Sequence, residues 1–339
     1  MRIALVHRRF TTNGGTERYL VGFARYLVTR GHDVSVLCNE VRDDLREEPG
    51  LRFVHLPMFR PAKLLSLWWS ASRAITRGRY DAVMGFGRTG RHHLFRAGGG
   101  SHADYLRRAL GWRRWLDPGH WIETAVDRAA VDAARIVIAN SRLGAAGLLR
   151  DYQPARVEVV YNGVDAGRFR PDAAVRAAVR EETGDDGKIA IFLGNGFVRK
   201  GLSMAIAALP ADWTLWVVGG DPPPAAPARV KFLGAQRCPE RFLQAADVMI
   251  LPTTYDPFAN ACLEAMACGV PALTTPGNGA AEVLPEPWMC CDNAADFTRA
   301  LLRAAQSPGL GGRCRAVAES LSPEQSYTRA LELLVEASS

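Results

Sequence analysis

Residues 248–274 read VMILPTTYDPFANACLEAMACGVPALT, and this stretch decides the fold. A short apolar run, Val248–Leu251, gives way to a Thr253-Thr254 turn. A helical segment beginning near Phe258 follows, and a second short run, Ala272–Thr274, closes the stretch. A strand, a helix and a strand joined so closely predict a crossover unit of a parallel sheet.

The same rhythm extends in both directions. Towards the N-terminus, strands are expected at Lys188–Leu193, Thr214–Val218 and Val230–Leu233, with helices between them. Earlier still, strands are expected at Arg2–Val6, Asp33–Leu37, Leu51–His55, Asp81–Gly85, Arg135–Ala139 and Val157–Tyr161. Gly31-His32 stops the first helix, and Asn140-Ser141 is a good N-cap for the helix after Ala139. Turn formers and Pro171 mark 162–172 as a hinge. The fold class is therefore α/β, with two doubly wound Rossmann-like domains expected to face across a cleft. The expected boundaries are 1–165, 166–322 and a C-terminal helix, 323–339, packing back towards the first domain.

Composition agrees with two cores. The chain has 339 residues, 48% of them hydrophobic, and its 23% charged content is ordinary for a globular protein. The seven cysteines form no pair with zinc-ligand spacing, so free thiols in a reducing compartment are expected. The apolar part of MRIALVHRRF is too short for a signal peptide, and no apolar run reaches the roughly 18 residues of a membrane span. The net charge of +7 is unevenly placed, with +10 in residues 1–165 and −3 in residues 166–339. A basic half points to an anionic partner, whereas an Arg-rich background explains part of it without one.

Three strand-to-turn segments carry residue types suited to anion and sugar chemistry. Asn13-Gly14-Gly15-Thr16-Glu17-Arg18 places two glycines before a helix, where backbone can approach a ligand closely; a plain tight turn has the same look. Gly194-Asn195-Gly196-Phe197-Val198-Arg199-Lys200-Gly201 is neither a phosphate-binding P-loop nor a dinucleotide fingerprint. Its adjacent cations nonetheless suit a diphosphate, or else are solvated surface charges. In the opening stretch, Asp256 precedes a helix whose first amides, near Asn260 and Ala261, point outward. Glu264 lies inside the same helix among apolar neighbours, and a charge there needs a ligand or an internal arginine as partner.

With these residues in view, the chain resembles the GT-B fold glycosyltransferases of family 4 over nearly its whole length. The paired-carboxylate segment is the hallmark of the resemblance. Tyr161–Asp165, Val217–Asp221 and Ala246–Pro252 match as well. Within the family the chain looks closest to the lipopolysaccharide core glucosyltransferases, by its Arg96–Tyr105 stretch and its short length. Two departures stand out. Asp256 occupies a position where the family usually has Glu, and Gly98-Gly99-Gly100 occupies a region where the core enzymes tend to have an acid.

The resemblance implies roles residue by residue. Gly14, Gly15 and Gly194 approach the donor phosphates, Arg199 and Lys200 neutralise them, and Arg168 is a weaker phosphate candidate. The amides near Asn260 and Ala261 bind the distal phosphate. Glu264 holds the ribose hydroxyls, Asp256 orients the donor sugar, and His102 contacts the donor sugar or an acceptor hydroxyl. The implied reaction retains anomeric configuration, with a UDP-linked hexose as donor and no cofactor. The sequence has no Asp-x-Asp motif, so a bridging metal is not required by it. The acceptor is expected to be a glycan or lipid-linked molecule of the cell envelope.

Tyr105–Trp121 reads YLRRALGWRRWLDPGHW, and Trp68, Trp69, Arg73, Arg77 and Arg79 lie just upstream. Interleaved tryptophan and arginine suits an anionic membrane surface or lipid-linked acceptor, with Arg107, Arg108, Trp112, Arg113, Arg114 and Trp115 as its residues. A buried tryptophan core and stacking on nucleic acid are the rival readings, and nucleic acid is not the expected partner. The expected location is the cytoplasmic face of the cytoplasmic membrane. An epimerase of the same architecture and an inactive sugar-nucleotide sensor are the competing functions.

Overall fold

The structure is a computed structural model describing residues 1–59, 62–111, 117, 119–220 and 227–339. It comprises two compact units, one of Met1–Tyr161 with Glu324–Ser339, the other of Asn162–Pro323.

In the first unit the described strands are β1 (Arg2–Val6), β2 (Arg9–Phe10), β3 (Asp33–Cys38), β4 (Glu40–Val41), β5 (Leu51–His55), β6 (Ala82–Gly85), β7 (Leu94–Arg96), β8 (Ile136–Ala139) and β9 (Val157–Val159). They form a parallel sheet in the order β5-β3-β1-β6-β7-β8-β9, with β2 and β4 paired separately. Its strands read as continuous apolar runs because helices cover both faces. On one face the helices Gly15–Thr29 and Pro323–Ser338 pack through Leu20, Phe23, Leu27, Ala330, Leu333 and Leu334. On the other, the helix Lys63–Gly78 buries Leu67 and Ala71 against Val6 and Val83. Ser141 caps the helix Arg142–Asp151 by accepting the Gly144 amide at 2.9 Å.

The terminal helix is stitched to the first unit by aromatic contact. Tyr327 meets Tyr19 edge-on at 5.0 Å, and the Tyr26 hydroxyl lies 2.9 Å from Thr328 Oγ1. Gly22 leaves the room, since a Cβ there would meet the Tyr327 hydroxyl at 2.0 Å.

The second unit holds β10 (Lys188–Leu193), β11 (Trp213–Val218), β12 (Val230–Gly234), β13 (Val248–Leu251) and β14 (Ala272–Thr274). The order is β12-β11-β10-β13-β14, all parallel. The order reverses direction between β10 and β13. In doubly wound sheets the loops at the carboxyl ends of such strands part and leave a crevice for ligand.

One expectation is corrected. The helix expected to begin near Phe258 starts at Asn260, because the Asp256 carboxylate and Asn278 take the amides of Phe258 and Ala259. The cation motif leads into a single turn, Phe197–Lys200, which Gly201 ends in the left-handed conformation. Its dipole is correspondingly small, and the cations themselves must supply the positive field.

Gly163 lies against the backbone of Ser322 and Pro323, where an added Cβ would sit 2.2 Å from main-chain atoms. The Val164 amide bonds the Leu321 carbonyl at 2.9 Å alongside. Gly163→Ala is therefore expected to cost about 1–3 kcal/mol by overpacking. Thermal unfolding would show it as a drop of several degrees, and an unchanged melting temperature would mean the crossing has slack.

Candidate active site

At the carboxyl ends of β10 and β13, the second unit gathers most of the residues singled out in its sequence. The polypeptide leaves β10 through Gly194, whose φ of 151° only glycine adopts readily. The stem of Lys200 passes this glycine, with Cε 3.6 Å from where a Cβ would lie. Asn195 Oδ1 accepts the Gly220 amide at 2.8 Å and holds the loop to the end of β11.

The loop after β13 is fastened to the cation turn. The Arg199 carbonyl accepts the Thr254 amide at 2.9 Å and the Thr253 and Thr254 hydroxyls, each at 3.1 Å. Gly201 presses against Pro252, with room for no side chain (a Cβ would meet the Pro252 oxygen at 2.0 Å). These contacts set Arg199 and Lys200 beside Asp256. Lys200 Nζ donates to Asp256 Oδ2 at 2.5 Å, and Arg199 Nη1 reaches the same oxygen at 3.4 Å and the Tyr255 carbonyl at 3.0 Å. Lys200 is buried, whereas Arg199 remains about one-third exposed. The two are therefore not loose surface cations.

Asp256 is itself positioned from three directions. Its second oxygen accepts the Phe258 amide at 3.1 Å, and its own backbone pairs with Gly277 and Gly279 at 2.9 Å each. Asn278 between those glycines is the organiser that sequence reading missed. Its buried amide accepts from Ala259 at 3.0 Å and Ala280 at 3.1 Å, and donates to Thr274 Oγ1 at 2.9 Å. The Gly277-Asn278-Gly279 turn was the available signal. Asn162 was missed likewise, and it donates to Asn260 Oδ1 at 2.6 Å.

The helix Asn260–Ala267 has no side-chain cap hydrogen bond at Ala259, so the amides near Asn260 and Ala261 begin the helix without one. Glu264, one turn on, is 7% exposed. Arg168 pairs with Glu240 at 2.9 Å; that bond, and to a lesser degree the charge of Glu264, holds the guanidinium above its ordinary range. Arg168 itself is exposed, and its ion pair is with Glu240.

Gly14, Gly15, His102, Arg107 and Arg108 belong to the first unit. Gly14, with φ 120°, precedes the helix Gly15–Thr29 without a side-chain cap. His102 is buried at 9% exposure, its amide donating to Asp127 at 3.1 Å. Burial, and then the Arg88 charge, push its pKa down, which favours neutral imidazole. Arg107 pairs with Asp151 at 2.7 Å, and Arg108 with the buried Asp104 at 3.0 Å. These two arginines stand in a local ion network, their side chains 37% and 38% exposed. Trp112, Arg113, Arg114 and Trp115 lie outside the described residues.

A buried lysine and a part-exposed arginine beside a carboxylate, with an uncapped helix start and a buried glutamate one turn into that helix, are residue types suited to an anionic, polyhydroxylated ligand. Comparison with known proteins agrees. Residues 13–168 match the family model Glycosyltransferase Family 4, and residues 187–307 match Glycosyl transferases group 1. A probable transglycosylase of Burkholderia thailandensis is 29% identical over 325 residues, covering 92% of this chain and 85% of that protein. The lipopolysaccharide core biosynthesis glycosyltransferase LpsD of Rhizobium meliloti is 24% identical, covering 92% of this chain and 91% of its own. The fold is shared with the crystal structure of WaaG, a glycosyltransferase involved in lipopolysaccharide biosynthesis (TM-score 0.83, 19% identity, 98% of this chain and 99% of that one). Matched in both halves and in fold, the chain belongs to the GT-B glycosyltransferases of family 4 and is related to enzymes of lipopolysaccharide core biosynthesis.

Proposed function

We propose that this glycosyltransferase transfers a hexose, with retention of configuration, from a UDP-linked donor to a glycan or lipid-linked acceptor in cell-envelope synthesis. The observation that carries the reading is the convergence of Arg199, Lys200 and Asp256 at the carboxyl ends of β10 and β13, with Glu264 one turn into the helix Asn260–Ala267 that follows. Lys200 and Arg199 neutralise charge building on the leaving diphosphate, work that in other transferases a divalent ion does. The amides at the start of the helix Asn260–Ala267 bind the distal phosphate, Glu264 accepts from the ribose hydroxyls, and Asp256 accepts from a sugar hydroxyl while holding Lys200 in place. Gly14, Gly15, Gly194 and Arg168 keep the phosphate-side roles the family implies. His102, as a neutral imidazole, accepts or donates one hydrogen bond to a sugar hydroxyl.

In the transfer step the bond from the anomeric carbon to the phosphate oxygen breaks. A new bond forms to the acceptor oxygen on the same face, and the departing phosphate takes the acceptor proton. The family resemblance supports this retaining course. Asp256, one methylene shorter than the usual Glu, sets the sugar hydroxyl nearer the cation pair and is where donor choice is decided.

Lys200→Ala is expected to lower kcat by roughly 10²–10³, as removal of a transition-state charge does. Glu264→Ala is expected to weaken donor binding by about 1.5–3 kcal/mol, the worth of a charged hydrogen bond. Titration calorimetry with UDP-glucose and UDP-galactose measures the second, and a folded Glu264→Ala protein of unchanged affinity would remove ribose recognition from this residue.

Turnover is expected to persist in EDTA, because Arg199 and Lys200 supply positive charge of the kind a metal would otherwise bring. Loss of activity on chelation, restored by magnesium or manganese, would refute a metal-free donor site.

Peripheral binding to anionic membrane is the final part of the proposal. Its support is the adjacent tryptophans of the helix Lys63–Gly78, where Trp68 packs inward and Trp69 is 58% exposed beneath the Arg73 guanidinium. Trp121 and Ile122 are 59% and 53% exposed on the helix Gly119–Asp132. Aromatic side chains with nearby cations hold proteins at the headgroup level, and the ionic share fades as salt rises. The protein is expected to co-sediment with vesicles containing phosphatidylglycerol and not with neutral ones. Trp69→Ser with Trp121→Ser should abolish the difference, and a double variant that still sediments would place the contact elsewhere.

A further inference from the structure

We propose that His102, His120 and Glu123 form a binding site for a divalent transition cation of the zinc type. Among the described residues these three bring one ligand atom each to within 4.8 Å of one another. His120 and Glu123 lie three residues apart on the helix Gly119–Asp132, the spacing that puts two side chains on one helix face. His102 opens the helix His102–Tyr105, and its backbone is pinned by Asp127, which the Tyr152 hydroxyl fixes at 2.8 Å.

The decisive detail is the relation between His102 and Glu123. His102 Nε2 is buried and makes no hydrogen bond, although Glu123 Oε2 lies only 3.1 Å away. The two atoms are near, but not aligned as donor and acceptor. Two ligands each about 2.0–2.2 Å from a tetrahedral zinc ion stand roughly 3.3–3.5 Å apart, close to the spacing seen here. Two imidazoles and a carboxylate are a borderline-soft donor set that suits zinc, whereas magnesium and calcium prefer oxygen alone.

One further feature bears on affinity. Arg88 opposes the ion from 3.4 Å on the same Glu123 oxygen, but it also reaches Asp127 at 3.5 Å and keeps that partner when it yields. A bound ion would tie the helix His102–Tyr105 to the helix Gly119–Asp132 and leave a fourth coordination position open. It would also withdraw His102 from any sugar. All three ligands lie in the first unit.

The test uses the full chain, freed of metal by chelator and titrated with zinc chloride by calorimetry and thermal unfolding. One zinc per chain and a raised melting temperature are expected. Cobalt in place of zinc should give the visible absorption of a tetrahedral site. His120→Ala and Glu123→Gln should each weaken zinc on the order of a hundredfold while circular dichroism stays native. Cys238→Ser, which removes an exposed thiol, should leave binding unchanged. The proposal is overturned if the wild type takes up no zinc. It is equally overturned if both ligand variants bind as the wild type does, or if Cys238→Ser abolishes binding.

Discussion

Lys200 and Asp256 are brought out of water together, and much of the second unit follows from keeping them matched. A buried ion pair recovers its desolvation cost only when geometry is good and the remaining lone pairs are satisfied. Here the satisfaction is distributed. Thr253 and Thr254 hold the cation turn from one side, and Asn278 and its flanking glycines hold the carboxylate from the other. Gly194 and Gly201 allow the two loops to come this close. In the function proposed above, Lys200 with its neighbour Arg199 would meet the charge developing on a leaving diphosphate.

The first unit handles charge differently. Its sequence carries the excess of arginine, but several arginines are absorbed into networks around few acids. Asp104 alone is approached by Arg107, Arg108 and Arg150, and Asp151 by Arg107 and Arg150. Arg96, at the end of the interior strand β7, is buried over the Tyr19 ring at 3.6 Å, with its charge disfavoured by burial. A sum over the sequence therefore overstates the field such a surface presents. The exposed tryptophans carry more of the argument for a membrane than the arginine count does.

The parallel strands were legible because they are apolar throughout, and those of the second unit coincide with expectation to within a residue. β7 was not, since it is three residues long and ends in a buried arginine, where no pattern distinguishes it from a loop. The start of the helix Asn260–Ala267 was misjudged because Asp256 and Asn278 intercept the first amides, a competition settled by a residue distant in sequence. The carboxylates and cations of the site were visible as types. What joins them, Asn278 and Asn162, was not, because a positioning amide has no periodicity and no charge. Neighbouring Trp68 and Trp69 show the same limit: composition marks both, and only packing separates the half-buried one from the exposed one.

The placement of the helix Pro323–Ser338 gives the chain an order of assembly. Its buried face completes the apolar layer of the first unit, yet residues 162–323 lie between that layer and its last component. During synthesis at about 5–20 residues per second, the N-terminal sheet would wait roughly 8–30 seconds for its final helix. Over that interval the aromatic surface of Tyr19, Phe23 and Tyr26 has no Tyr327 to meet. That one face of the nascent first unit stays uncovered meanwhile, and the second unit matures as an insertion inside an unfinished neighbour.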